Sequence, residues 1–271
     1  MPGANLTRLE DGRQAIVLSQ SWLNTFLGCP EQARLEMIGA TSPKDSPESL
    51  LGIAMHAGIE VLAAGGQLSM AQRAAQTLAA DIEPGPGHKW VNVNPSDLVL
   101  DCLDAWNTGI HDEGIRSRIT GDVIAVEHQF QRVVIDDPNV VVVLKGTVDL
   151  VTSDGLWDWK CSAKKWTQWE TDRYNLQSTA YTLGLYGDTI TADDRYMFRF
   201  GVVNPDTLRT SIVEVVRTKA HVDALIEQIH SIATLVAAGL DRWPIVGQDW
   251  RCSSKWCPAW TQCRGAHGLH W

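Results

Sequence analysis

Gly146-Thr147-Val148-Asp149-Leu150-Val151-Thr152-Ser153-Asp154-Gly155-Leu156-Trp157-Asp158-Trp159-Lys160 is the stretch on which the fold turns. It continues an apolar, β-branched run that begins at Val140, and Asp154-Gly155 is a strong signal for a two-residue hairpin loop. A loop at those positions sets Asp149 opposite Lys160 and Val151 opposite Asp158. Side chains alternate along a strand, so Asp149, Asp158 and Lys160 share one face. Val148, Leu150, Trp157 and Trp159 fall on the other, an apolar set suited to burial. A three-residue loop would swing Asp149 away unless a bulge restored it.

Outward from this hairpin the periodicity is mixed. Residues 121–135 alternate as a strand, 136–139 read as a turn, and 140–151 and 156–162 form the two arms. A helix is expected over 171–187, strands over 195–203 and 210–216, and a last helix over 218–239. Upstream, Trp22, Leu23, Phe26 and Leu27 recur at helical spacing and predict a helix from Ser19 to Met37. A loop at 41–47 leads into a second helix over 48–64, which carries His56. Residues 65–120 read as a helical insertion broken by the turn-rich 83–89. This order predicts one mixed α/β (α+β) domain around a small central sheet flanked by helices.

Composition bounds the function. The chain has 271 residues, enough for one sizeable core, and 23 Lys+Arg against 32 Asp+Glu give a net charge of −9. A wholly basic nucleic-acid coat is excluded, so a DNA-binding surface must be local. No apolar leader opens the sequence and no run of about 18 apolar residues occurs, which predicts a cytoplasmic protein without a membrane segment.

Two carboxylates and an ammonium on one sheet face can bind Mg²⁺ or Mn²⁺ and neutralise charge on a phosphodiester. The same pattern also describes an exposed Asp–Lys cross-strand pair worth tenths of a kcal/mol to about 1 kcal/mol. His56 reads either as a core histidine or as a further metal ligand. Gln177 and Tyr181 lie four apart on one helix face, and Glu127 lies on the preceding strand. Lys164 and Lys165, just past the hairpin, are candidates for phosphate contact or a solvated loop.

Cys252, Cys257 and Cys263 cluster near one end, and Cys29 in FLGCP stands near the other. Without an export signal this spacing reads as metal binding rather than disulfides. No CxxC knuckle is present, so four thiolates suit an iron–sulfur cluster better than zinc. Arg242, Arg251, Lys255 and Arg264 are interleaved with Trp243, Trp250, Trp256, Trp260 and Trp271 there, as shields for a cluster or as nucleic-acid contacts.

These elements resemble the RecB-like branch of the PD-(D/E)xK nucleases, in particular its members with an iron–sulfur clip: AddB-like proteins, CRISPR-adaptation nucleases and related phage exonucleases. The segment 21–30 is similar to that family's first helix and first cluster cysteine, and GIAMHAG to its histidine helix. GTVD, DWK and Gln177-Ser178-Thr179-Ala180-Tyr181 match its GxxD, (D/E)xK and QxxxY motifs. Two departures stand out: Val148 precedes Asp149 where Pro is common, and Cys252 and Cys257 are separated by four residues rather than two. The resemblance implies a restriction-endonuclease-like core and a DNA exonuclease acting on ends or single strands. Asp149, Asp158 and Lys160 would then be catalytic, with His56 and the Trp159 carbonyl completing the Mg²⁺ or Mn²⁺ shell. Gln177, Tyr181, Lys164 and Lys165 would hold DNA, and Cys29, Cys252, Cys257 and Cys263 a 4Fe–4S cluster. A helicase or recombination partner would be in keeping. A catalytically inactive DNA-binding or recombination subunit and a zinc-stabilised protein are the rival readings.

Overall fold

The computed structural model describes residues 4–41, 45–245 and 252–266. The expected roles of Trp250, Arg251 and Trp271, and part of the 41–47 loop, lie outside them. Among the described residues the strands are β1 (Ala4–Arg8), β2 (Gln14–Ser19), β3 (Val123–Asp136), β4 (Val140–Thr152), β5 (Gly155–Cys161), β6 (Tyr196–Val203) and β7 (Thr210–Arg217). The helices are α1 (Gln20–Gly28), α2 (Pro30–Met37), α3 (Pro47–Ala63), α4 (Leu68–Ala79), α5 (Pro95–Asn107), α6 (Gln168–Tyr174), α7 (Leu176–Tyr186), α8 (Lys219–Ala237) and α9 (Trp260–Ala266). The strands form one mixed sheet with helices on both faces, as the element order predicts.

β4 organises this sheet. One edge pairs with β3 along nearly its whole length. The other edge is shared: residues 140–145 pair with β2 in parallel, and 150–152 pair with β5 antiparallel. Between those two partners, residues 146–149 have no strand beside them on that edge. β6 then follows β5 in parallel, and β7 follows β6 antiparallel.

One layer of core packs Ile16, Val142, Leu144, Val148 and Phe198 against α1, α7 and α8. The other packs Leu150, Trp157 and Trp159 against α3, α4 and α5. Val148 therefore does not share a face with Leu150, Trp157 and Trp159, contrary to simple alternation. The change of side falls at Asp149, opposite the left-handed backbone of Glu127 (φ 49°). Burying Trp157 and Trp159 stabilises β5 by roughly 4–6 kcal/mol apiece, at about 25 cal/mol per Å². That apolar anchorage holds the strand while its polar side carries charge.

The hairpin turn also differs by one position. Thr152 pairs with Gly155, so the loop residues are Ser153 and Asp154. The Thr152 hydroxyl donates to Asp154 Oδ1 at 2.7 Å, and Thr120 donates to the other oxygen. Gly155 (φ 155°) instead serves the β6 contact, where a Cβ would stand 2.7 Å from the Met197 carbonyl oxygen. The revised register keeps the parity of the pairing, so Asp158 and Lys160 stay on one side of β5, next to Asp149 where β4 changes side.

Two expected helices are split. Cys29 is extended (φ −160°, ψ 105°) before Pro30, because a residue preceding proline is pushed out of the helical region. The 171–187 helix divides at Asn175, which ends α6 and accepts the Ser178 N–H to cap α7. The β1–β2 hairpin was not expected. It turns through Asp11-Gly12, the same dipeptide as in the acidic hairpin.

Candidate active site

The opening in β4 places chemistry at the seam between the two core layers. Asp149 is 7% exposed, and its Oδ2 accepts the Trp159 backbone N–H at 2.7 Å. The carboxylate thus fills a place that a strand carbonyl would occupy in a closed ladder. Asp158 is 2% exposed, and its Oδ1 accepts from Gln177 Nε2 at 2.5 Å. Lys160 Nζ lies 2.5 Å from Asp158 Oδ2, an ion pair without the direction of a hydrogen bond.

His56 reaches the same place from α3. Its Nε2 is 2.6 Å from the Trp159 carbonyl oxygen. A carbonyl only accepts, so Nε2 carries the hydrogen. Burial lowers the imidazole pKa and keeps the ring neutral, partly offset by the charge of Asp158. The Nδ1 lone pair then faces Asp149 Oδ2 at 3.5 Å. The Trp159 carbonyl thus orients His56 at this seam.

The site carries more negative charge than its surroundings neutralise. Burial, and then the Asp158 charge, hold the Asp149 carboxyl well above the usual carboxylate range, against the Trp159 N–H and Lys160. Glu127, half-buried beside them, is raised by burial and by the charges of Glu60 and Asp158. A divalent cation would relieve this electrostatic conflict. Two carboxylates and an imidazole lone pair along one seam are donors of the kind that Mg²⁺ or Mn²⁺ takes. As placed among the described residues, no group of three or more His, Cys, Asp or Glu side chains is gathered closely enough to hold a metal ion.

Gln177 and Tyr181 approach from α7. Both are buried, and Gln177 Nε2 also donates to the Tyr181 hydroxyl at 3.1 Å. The Tyr181 phenol is raised by burial and then by Asp158. A groove of about 510 Å³ opens onto the seam past His56, Glu60, Glu127, Trp159, Lys160 and Cys161. Lys164 and Lys165 are exposed beside a second groove of about 360 Å³, and Lys164 lies 3.8 Å from Glu170. Glu60 escaped the sequence reading, although it lies one helical turn beyond His56. That spacing was the available signal.

The two ends of the chain meet on α2. Glu31, fully buried, pairs with Arg34 and accepts the Trp243 backbone N–H at 2.8 Å. Trp243 packs edge-on against Trp22 and Phe26. The Thr41 hydroxyl donates to the Pro258 carbonyl at 3.0 Å. Cys29, Cys252, Cys257 and Cys263 are free thiols in this region. Cys263 is pushed up to about 11 by burial first, then by Cys29, Glu31, Cys252 and Cys257. Thiolates are the donors an iron–sulfur group takes, but as placed among the described residues these four are not gathered into a group that could hold a metal.

Residues 17–264 match the family model described as "PD-(D/E)XK nuclease superfamily". The chain belongs to that superfamily. No curated protein matches it. A solved structure titled "Crystal structure of SSO0001" is 13% identical, covering 89% of this chain and 92% of that one, at a TM-score of 0.29. That likeness is too slight to carry an argument. No helix among the described residues is long and apolar enough to cross a membrane.

Proposed function

We propose that this chain is a Mg²⁺- or Mn²⁺-dependent DNA exonuclease of the RecB-like type, hydrolysing phosphodiester bonds at DNA ends or in single strands. The observation that carries the reading is the convergence of Asp149, Asp158, Lys160 and His56 on the gap in β4. The metal would be held by Asp149, Asp158 and His56, and supplies Lewis-acid neutralisation of the scissile phosphate. Trp159 fixes two of these groups, its N–H orienting Asp149 and its carbonyl orienting His56. Lys160 faces the groove and offsets charge as the phosphorus–oxygen bond breaks, or orients the attacking water. Gln177 and Tyr181 brace the acid pair beside the strand, while Lys164 and Lys165 meet phosphates further along. An intact Asp–Asp–Lys set supports an enzyme over an inactive DNA-binding subunit.

We assign a 4Fe–4S cluster to Cys29, Cys252, Cys257 and Cys263, joining the two ends of a single nuclease domain that carries a helical insertion at 65–120. Work in the cytoplasm beside a helicase or recombination partner is consistent with this reading. The test is digestion of 5′- and 3′-labelled single and double strands with Mg²⁺ or Mn²⁺, beside Asp149→Ala. Loss of activity in the variant supports the assignment, while no digestion by either protein favours the inactive subunit. An anaerobic preparation should contain iron and sulfide, and Cys257→Ser should bleach it. A colourless protein containing zinc would overturn the cluster.

A further inference from the structure

Arg217, the last residue of β7, is 1% exposed. A buried guanidinium costs several kcal/mol unless its donors and charge are satisfied. Apart from the neighbouring Val216 carbonyl, which accepts from Nη1 at 3.2 Å, the partners lie at the junction between α6 and α7. Nε donates to Ser178 Oγ at 2.8 Å, and Nη1 to Asp172 Oδ1 at 2.9 Å. Nη2 donates to the carbonyls of Asp172 at 3.0 Å, and of Thr171 and Asn175 at 3.4 Å each. The last carbonyls of a helix have no partners within it, and a cation there also offsets the helix dipole. Arg217 thereby braces the junction at which Asn175 ends α6 and caps α7.

That starting point matters because Gln177 lies between two residues the guanidinium holds, Asn175 and Ser178. Gln177 Nε2 is the hydrogen-bond donor to Asp158 Oδ1. A shift of α7 by a fraction of an ångström would lengthen that bond and leave the carboxylate held by Lys160 alone.

We propose that Arg217 is a positioning residue for Asp158, acting through Gln177 rather than by touching substrate. The inference rests on the nuclease reading above. Lysine cannot replace it, because one ammonium cannot reach the Ser178 hydroxyl, the Asp172 carboxylate and three carbonyls at once.

The test is a double-variant cycle with Arg217→Lys and Gln177→Ala. It is read by kcat and KM on a labelled oligonucleotide, and separately by calorimetric Mn²⁺ affinity of the DNA-free protein. Each single variant should lower kcat and Mn²⁺ affinity by about tenfold, the scale for residues that orient ligands. KM for DNA should stay unchanged, and the double variant should match the worse single one. Multiplication of the two effects to about a hundredfold would overturn the proposal, because Arg217 would then support the fold independently of Gln177. So would an Arg217→Lys protein with lowered Tm but native kcat and Mn²⁺ affinity. If Arg217→Lys does not fold, Ser178→Ala removes the Nε acceptor, along with the hydroxyl's own 3.3 Å bond to the Asn175 carbonyl, and enters the same cycle with the same two outcomes. Should the wild-type protein digest nothing, the nuclease reading fails and Mn²⁺ affinity alone decides the linkage. Should Asp149→Ala abolish digestion while Gln177→Ala changes nothing, the linkage fails and the nuclease reading stands.

Discussion

Asp149 and Trp159 are joined by a bond that crosses from side chain to backbone: Oδ2 of the first accepts the N–H of the second at 2.7 Å. Asparagine keeps an acceptor oxygen of the same shape and removes the charge. Asp149→Asn should therefore fold, with metal-free Tm above the wild type at pH 7. Digestion should fall on the order of 10³-fold, since several kcal/mol of phosphate stabilisation is lost. The pH dependence follows from the raised Asp149 carboxyl. A carboxyl raised on folding is most stabilising below its unfolded pKa, and that contribution is lost as pH rises through the folded value. The Tm gap between variant and wild type should widen from acid to neutral pH. A pH-independent gap would contradict the assignment.

Metal should stabilise the folded protein by mass action. Mn²⁺ at 100 times its Kd should add about 2.7 kcal/mol to the wild type. Asp149→Asn should gain far less. Thermal melts with and without Mn²⁺, at fixed ionic strength, check this. Equal shifts in both proteins would place the ion elsewhere.

Gly146 lies where the ladder is open, and close approach requires it to lack a Cβ. A methyl group would stand 2.7 Å from Phe130 Cζ and 3.1 Å from Tyr181 Cε1. Gly146→Ala should cost about 1–3 kcal/mol, the range for overpacking, and disturb Tyr181. Urea denaturation measures the loss, and an unchanged midpoint would refute the crowding argument.

Glu31 is buried with Arg34 and the Trp243 N–H as partners. Glu31→Ala strands both and should destabilise by about 3–5 kcal/mol. Limited proteolysis should then cut first near residue 243. Cleavage elsewhere at an unaltered rate would show that the two ends are held by other contacts.

Lys164 and Lys165 are exposed and distinct from the acid pair. The Lys164→Ala, Lys165→Ala double variant should raise KM for DNA while leaving kcat intact. The slope of log KM against log salt should drop by about 1–2, one unit or slightly less per lost phosphate contact. An unchanged slope would remove these lysines from the DNA path.

Much of this architecture was legible in the chain. The β-branched run from Val140, the helical spacing of Trp22 to Leu27, and the alternation of Asp158 and Lys160 along β5 all depend on local pattern. Grouping the two acids with Lys160 required only that the turn keep its parity, so misplacing the loop by one residue did no harm. What escaped was set by tertiary contacts. Asp154 accepts from Thr120 and Thr152, which pulls the turn back, and Gly155 is reserved for β6. Val148 parts company with Leu150 because alternation breaks opposite Glu127, and no local spacing announces a left-handed glutamate. Gln177 read as a substrate contact on a helix face, and only packing turns it toward Asp158. Arg217 carried no motif at all, since its partners lie about 40 residues away in sequence.

β4 lends one rim to two different strands, and that sharing fixes a length. The last rung with β2 is at Lys145 and the first with β5 at Leu150. Growth of either neighbour toward the other would zip the interval shut and separate His56 in one layer from Gln177 in the other. Surface loops can lengthen freely during evolution, but these few unzipped residues cannot change in number without pulling apart the acidic seam they expose.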